Sequence, residues 1–392
     1  MRGAVAWIAP ISAAGTLERE LNVLFPGAGV IAFDAGRAAL AAALRIAMRM
    51  TGRDQVVLPA YTSYSVAAAA AASGSKVVLC DLDPRTLQLD RAALRSAVGP
   101  RTAALLLGNL YGFPDVTSDL DWVRASGAMI IDDAAQALGA REQGRAVGTR
   151  GPLGILSFGR GKCVSLGDGG VLLVNDPACA VEADRERPVA GARGAGLLVM
   201  AAGTTVSASP LAFGMLSRLP GLRVGESWYD PEFEAHAMPA AARGLAAGLA
   251  GITGEFRLMR QRVARTWTEA LKGVRGLVLP QPPDGSEAAW LRVPALAADQ
   301  ADREAKVSLL AQAGLSFVRS FPTSLGAIQG FRGQLASDLP TPGADSIAAR
   351  MIALPCHGSI SPSLIRRAAA ALENSGPGPA SPVLATTRGT HG

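Results

Sequence analysis

Ser157-Phe158-Gly159-Arg160-Gly161-Lys162-Cys163-Val164-Ser165-Leu166-Gly167-Asp168-Gly169-Gly170 sets one lysine in a stretch that holds five glycines in fourteen residues. Glycine reaches φ values that a Cβ forbids, so such a turn can fold closely around a ligand. Leu153 to Phe158 before it and Val171 to Val174 after it read as short apolar strands. A lysine among glycines can equally be a solvated loop cation, and this stretch alone does not choose.

The second stretch is Ala128-Met129-Ile130-Ile131-Asp132-Asp133-Ala134-Ala135-Gln136-Ala137-Leu138-Gly139-Ala140, an apolar run that ends in two adjacent carboxylates. In a parallel sheet, ligands bind at the carboxyl ends of strands. A carboxylate there can also simply cap the next helix. Asp133 stands far enough upstream of Lys162 for a loop and a further strand, so the two can converge on one ligand. Pyridoxal 5'-phosphate needs such a pair: an amine to condense with its aldehyde, and a carboxylate to keep its ring nitrogen protonated as an electron sink.

Jointly, the two stretches resemble the fold-type I pyridoxal-phosphate aminotransferases of the DegT/DnrJ/StrS family, the nucleotide-sugar aminotransferases. The family's Glu-Asp-Ala-Ala-Gln, Ser-Phe-His-x-x-Lys and Gly-x-Gly-Gly elements are matched by Asp132-Asp133-Ala134-Ala135-Gln136, Ser157-Phe158-Gly159-Arg160-Gly161-Lys162 and the Gly167–Gly170 end. The resemblance implies an α/β protein: a three-layer α/β/α large domain with a mostly parallel sheet, plus a smaller α+β C-terminal domain. The expected bounds are 1–240 and 241–375, with a disordered tail over 376–392.

For the site, the resemblance implies that Lys162 is the covalent anchor and the general acid/base. It implies that Asp133 faces the ring nitrogen and Gln136 the phenolic oxygen, with Ser157 on the phosphate. Gly36-Arg37-Ala38-Ala39-Leu40 aligns with the family's Gly-Thr-Ala-Ala-Leu phosphate element, with Arg37 in place of the threonine. By itself Phe33 to Leu44 reads as a turn opening an alanine-rich helix, whose first amides can hold a phosphate. The family also has a Pro-x-x-Thr-aromatic element that stacks on the pyridine. Here Ser63 stands at the stacking position, and Tyr64 offers the adjacent ring.

Three departures bear on the substrate. Gly159 replaces the family histidine, Ser63 replaces the ring, and the Gly-Tyr-Asn-x-Arg segment that reaches the neighbouring subunit is not evident. His236, in Trp228-Tyr229-Asp230-Pro231-Glu232-Phe233-Glu234-Ala235-His236, stands near its place. The expected reaction is transfer of an amino group from a donor such as glutamate to a keto-sugar nucleotide, in a homodimer. Lyase or dehydratase chemistry on the same cofactor is an alternative, although the dehydratases of this family lack the lysine. A non-catalytic cofactor-binding sensor or scaffold is another.

Outward from the motifs, Gln55–Tyr64 reads as a strand ending in a polar-aromatic loop, Lys76–Asp83 and Ala103–Gly108 read as strands and Val66–Ala72 as a helix. This alternation over 33–175 argues for a parallel sheet covered on both faces. Ala240–Leu271 reads as one long helix. Leu277–Leu291, Leu315–Phe321 and Arg350–Pro355 read as strands, and Ser363–Glu373 as a closing helix. The uncharged Gly194–Ser217 raises a membrane question, but Gly, Ser, Thr and Pro210 dilute it, and a buried or interfacial helix pair is expected.

The chain has 392 residues and a formal charge of +6, and no block of five or more Lys/Arg occurs, so nucleic-acid binding is not indicated. The mild positive field suits an anionic substrate. Cys80, Cys163, Cys179 and Cys356 form no CxxC pair, and His236, His357 and His391 add no ligand spacing, so neither a disulfide framework nor a metal site is expected. Cys163 is read as a packing residue. Met1 to Ala14 carries one arginine and an apolar stretch interrupted by Pro10, short of a secretory signal, and the expected location is the cytoplasm.

Overall fold

The computed structural model describes residues 16–190, 228–315 and 320–373. Seven strands form the main sheet: β1 (Gly29–Phe33), β2 (Gln55–Pro59), β3 (Lys76–Cys80), β4 (Thr102–Leu107), β5 (Met129–Asp133), β8 (Leu153–Ser157) and β9 (Gly170–Val174), in the order β1-β9-β8-β5-β4-β2-β3. Every neighbouring pair from β8 to β3 is parallel, and β9 runs antiparallel to both β1 and β8. The short β6 (Arg141–Glu142) and β7 (Arg145–Ala146) form a separate small sheet with β10 (Ser286–Glu287).

The period of two along the central strands explains the layers. Val56, Leu58, Val77, Leu79, Ala104 and Leu106 join one core, which includes helices α2 (Gly36–Thr51) and α3 (Tyr64–Ser73). Val57, Val78, Cys80, Leu105 and Leu107 join another, under α4 (Arg91–Ala97) and α5 (Asp121–Ala125). Both faces are apolar because both are covered, which is what near-continuous aliphatic strands require. A third apolar layer lies where α1 (Thr16–Leu24) packs with Leu156, Val171 and Leu173. It also takes in the short α7 (Ala240–Gly244), which follows α6 (Ala180–Asp184) among the described helices, and the start of α8 (Leu249–Leu271).

The expected single helix over Ala240–Leu271 is thus two. Gly248 has φ +78°, and this left-handed residue breaks the hydrogen-bond ladder between them. The expected strand over Leu277–Leu291 is also displaced: β11 is Arg292–Leu296, paired antiparallel with β12 (Met351–Pro355). Pro280, Pro282 and Pro283 supply no ladder N–H, whereas Pro294 is tolerated because β12 is the one strand paired beside it among the described residues, the Val278 bridge reaching β11 at Leu296. The Leu315–Phe321 strand, the Gly194–Ser217 helix pair and the 376–392 tail fall wholly or partly outside the described residues.

The β11–β12 ribbon shares a core with α8, α9 (Gln300–Gln312) and α11 (Pro362–Glu373), centred on the buried Trp267, whose indole N–H donates to Pro355 O at 3.0 Å. The segment before α10 (Pro342–Arg350) returns to the main sheet. There Leu325 N donates to Ala60 O and Ala336 N to Val77 O, and in the first turn of α10 the amides of Gly343 and Ala344 donate to Asp81. Among the described residues no helix is long and apolar enough to cross a membrane.

Beneath the sheet end lies a charge that water does not reach. Asp132, fully buried on β5, receives Arg150 Nε at 2.9 Å and Nη2 at 2.6 Å, together with the amides of Gly148 and Arg150. Asn109 accepts from Arg150 Nη2 and donates from Nδ2 to Asp132 Oδ1 and to the backbone oxygen of Asp133. Burial alone pushes the Asp132 carboxyl up, but Arg150 overrides it and holds the group below its ordinary value. Breaking one side of such a pair costs about 3–5 kcal/mol, because the other charge stays buried without compensation. Arg150→Met is therefore expected to lower unfolding stability by about that amount, read as an earlier urea midpoint with unchanged slope.

Candidate active site

Adjacent residues on a strand face opposite sides, so the two carboxylates at the end of β5 have different surroundings. Asp132 turns into the Arg150 network, and Asp133 turns into a cavity of about 270 Å³. That cavity is lined by Gly36 and Arg37 at the start of α2, Ser63, Asp133, Gln136, Ser157 and Lys162. Lys162 comes from the turn that leaves β8, and Asp133 from the neighbouring parallel strand, so the parallel pairing of β5 and β8 brings them to one end of the sheet.

Each group is tuned by burial. Burial pushes the Asp133 carboxyl up to about 6, against the opposing effects of the Ala135 amide and Lys162. Burial likewise holds the Lys162 amine below its usual value. Asp133 works against that fall, and Arg292 adds to it. An amine with a lowered value is unprotonated more of the time near neutral pH, and so more available to attack a carbonyl or accept a proton. The Gln136 amide is oriented by its Oε1, which accepts from Tyr111 N at 3.1 Å. The Cys163 thiol donates to Gln136 O and sits in an apolar core, so it is a packing residue.

The phosphate-sized end is shaped by missing side chains. A Cβ on Gly36 would stand 2.8 Å from Ser157 Cβ, and one on Gly170 would stand 2.4 Å from the Ala35–Gly36 peptide. Only glycines let the start of α2 rest on the paired ends of β8 and β9, where Ser157 is in register with Gly170. Ala35, the residue before the helix, offers no side-chain oxygen to the first turn, which leaves its amides available to an anion at the positive end of the helix dipole. An amine, a carboxylate, a hydroxyl and a helix amide cradle facing one cavity fit pyridoxal phosphate.

Two expected residues stand apart from this wall. Ala38 is fully buried under α2, and its N–H goes to Ala35 O. The Tyr64 hydroxyl meets Thr323 Oγ1 at 2.5 Å and accepts from Thr323 N, so this ring is fastened away from the cavity. Ser63 lines the cavity, and its hydroxyl accepts from Ser65 N to cap α3. Arg37 pairs with Asp230 at 3.0 Å and lies 4.6 Å over the Phe233 ring, so its guanidinium already has an anion. His236 pairs with Glu234 through Nε2 at 3.3 Å, its backbone bridges to Asp34, and among the described residues its buried Nδ1 has no hydrogen-bond partner.

The cavity also collects residues that the motifs do not flag: Asp34, Thr62, Asp168, Trp228, Phe233 and Glu234. Asp34 and Asp168 could have been noticed, since each lies within a few residues of a flagged glycine. Trp228, Phe233 and Glu234 carry no local signal. They arrive because the 228–238 segment runs back along β1, with Ala237 bridged to Phe33 and Met238 N bonded to Ala32 O.

The profile of the DegT/DnrJ/EryC1/StrS aminotransferase family matches residues 6–194 and 241–373. A dTDP-4-dehydro-2,3,6-trideoxy-D-glucose 4-aminotransferase from Saccharopolyspora spinosa is 29% identical over 353 residues, which cover 87% of this chain and 82% of that protein. The crystal structure of a DegT DnrJ EryC1 StrS aminotransferase from Brucella abortus superposes with a TM-score of 0.69 at 21% identity, covering 93% of this chain and 90% of the other. An E coli GDP-4-keto-6-deoxy-D-mannose-3-dehydratase with bound hydrated PLP reaches 0.71 at 15% identity, covering 92% of each. At these identities the two structures speak for the fold, which is that of the fold-type I pyridoxal-phosphate enzymes.

A carboxyl whose folded value is raised stabilises the fold below its unfolded value near 4 and loses that contribution as pH rises through about 6. In cofactor-free protein, Asp133→Asn is therefore expected to be more stable than wild type at pH 8, with the gap closing by pH 4. Urea unfolding at the two pH values checks it, and a gap that widens on acidification would contradict the assignment.

Proposed function

The chain belongs to the DegT/DnrJ/EryC1/StrS aminotransferase family, and on that premise we propose that it transfers an amino group from an amino acid such as glutamate to a keto-sugar nucleotide. It is an aminotransferase dependent on pyridoxal 5'-phosphate. The observation that carries the site assignment is the meeting of Lys162 and Asp133, from separate stretches, on one cavity whose other end is the Gly36–Ser157 cradle.

In this reading Lys162 Nζ is the covalent anchor. Asp133 would hold the ring nitrogen, Gln136 would lie by the ring oxygen, and Ser157 with the Gly36 and Arg37 amides would hold the phosphate. When bound, the cofactor supplies an electron-withdrawing ring that stabilises negative charge on the carbon from which a proton leaves. Lys162 Nζ, low in basicity through burial, takes that proton from the donor carbon and returns it on the other side of the exchange. Asp133 stays ionised once it faces a cation, because the burial that raises it is then offset by a partner charge. The retained Lys162 supports transamination over dehydration.

The acceptor class is supported by the Saccharopolyspora spinosa relative, whose name gives a dTDP-linked keto-sugar. The +6 formal charge of the chain suits such an anionic substrate. A homodimer belongs to the same proposal. Trp228, 51% exposed at the cavity mouth, offers an apolar edge for a second subunit. A cytoplasmic location follows from the nucleotide-sugar chemistry proposed.

A panel of nucleotide keto-sugars incubated with glutamate and purified protein should yield one amino-sugar product, read by mass. Lys162→Ala should lose that product by at least about 10²-fold, the usual scale for removing a general acid/base. Borohydride treatment of wild type should place the reduced cofactor on the Lys162 peptide. A label on Lys76, Lys272 or Lys306 instead would move the anchor elsewhere.

A further inference from the structure

The 228–238 segment, which brings Trp228, Phe233 and Glu234 to the cavity, is fastened at its two ends. At its start the Tyr229 ring meets Phe331 edge to face at 5.7 Å. At its end Asp34 N donates to His236 O at 2.8 Å, Ala237 N to Val189 O at 3.0 Å and Met238 N to Ala32 O at 3.3 Å. Between these points, among the described residues, 230–235 make no backbone–backbone hydrogen bond. Phe233 and Ala235 rest against the core that includes α2, and the polar tie from the rest of the described chain to this middle stretch is Arg37. Its Nη1 donates to Asp230 Oδ2 at 3.0 Å and to Asp230 O at 3.5 Å, and its guanidinium lies 4.6 Å over the Phe233 ring.

Arg37 is the second residue of α2, in the same turn that forms the Gly36–Ser157 cradle, yet its charge is spent on the cavity wall. The cradle does not need that charge. Its amides are backbone groups, so a change of side chain at position 37 leaves them in place, and Ser157 stands on a different strand. The wall does need it, because a planar guanidinium can turn an edge to a carboxylate and a face to a ring at once, which a lysine ammonium cannot. The Arg37 and Asp230 side chains are 29% and 36% exposed, and a pair that open to water adds little to global stability. Its effect is local: it decides whether the middle of the wall stays against the cavity.

We propose that Arg37 is a positioning residue whose side chain, through Asp230 and Phe233, clamps the 228–238 segment over the cavity and so slows release of the bound cofactor. The proposal rests on the cofactor site assigned above to Gly36 and Ser157. The rival arrangement is a guanidinium that leaves Asp230 and serves the phosphate directly. The two differ in sign at one residue. Asp230 helps a clamp, whereas it competes with a phosphate for Arg37, so removing its charge loosens cofactor in the first case and tightens it in the second.

The test is the rate at which pyridoxal phosphate leaves loaded protein after dilution, read as cofactor passing a filter with time. Arg37→Gln and Asp230→Asn should each speed release about 3- to 10-fold, and the double variant should be no faster than either, because all three lose one interaction. Arg37→Lys should fall between wild type and Arg37→Gln, since it keeps the charge and loses the stacking on Phe233. The urea midpoint of the cofactor-free protein should stay close to wild type in every variant. Hydrogen exchange on cofactor-free protein gives a second reading: the Ala237 and Met238 amides should exchange faster in both single variants. Slower release from Asp230→Asn would hand Arg37 to the phosphate and overturn the clamp. So would additive effects in the double variant, a urea midpoint that falls in step with release, or wild-type exchange at Ala237 and Met238. Faster exchange in a protein that binds no cofactor would reject the cofactor site and leave the clamp on the wall standing.

Discussion

The buried pairing of Arg150 with Asp132 is the constraint on which the site depends. It takes one of two neighbouring carboxylates out of contention, and strand geometry then aims the other into the cavity. Asn109 ties this pairing to the Asp133 backbone, so the position of the Asp133 carboxylate is inherited from a buried charge cluster that does not line the cavity. Asn109 adopts φ +43° to do so, a conformation that asparagine tolerates better than most residues.

The second constraint is close approach. Gly36, Gly154 and Gly170 each stand where a Cβ would meet other atoms at 2.0 to 2.8 Å. Gly154 lets the loop at Gly148 settle against β8, and that loop supplies an amide to Asp132. The glycines that seat the phosphate-sized cradle and the glycine that admits an Asp132 partner thus belong to one compact sheet end. Its precision comes from contact between backbones.

The C-terminal half contributes position and charge. Helix α8 and strand β11 bring Arg260 and Arg292 to the Lys162 turn, and Trp267 locks α8 to β12 through Pro355. The Lys162 amine therefore lies under the opposing influences of Asp133 and Arg292, within a region where burial magnifies every charge.

The α/β class, the mostly parallel sheet, the Lys162–Asp133 pair and the Gly36 turn were legible in the sequence, because each rests on a local pattern: aliphatic runs of strand length, a carboxylate at a strand end, glycines in a turn. The break at Gly248 and the shift of a strand to Arg292–Leu296 were not, since an alanine-rich run tolerates either a continuous or a broken helix and a proline's effect depends on whether its strand has one partner or two. Nor could the sequence say that Tyr64 is fastened to Thr323, that Arg37 is claimed by Asp230, or that Trp228 and Phe233 wall the cavity. Those contacts join residues far apart in the chain. Local propensity carries no record of which distant charge or ring arrives first, and only the packed structure decides it.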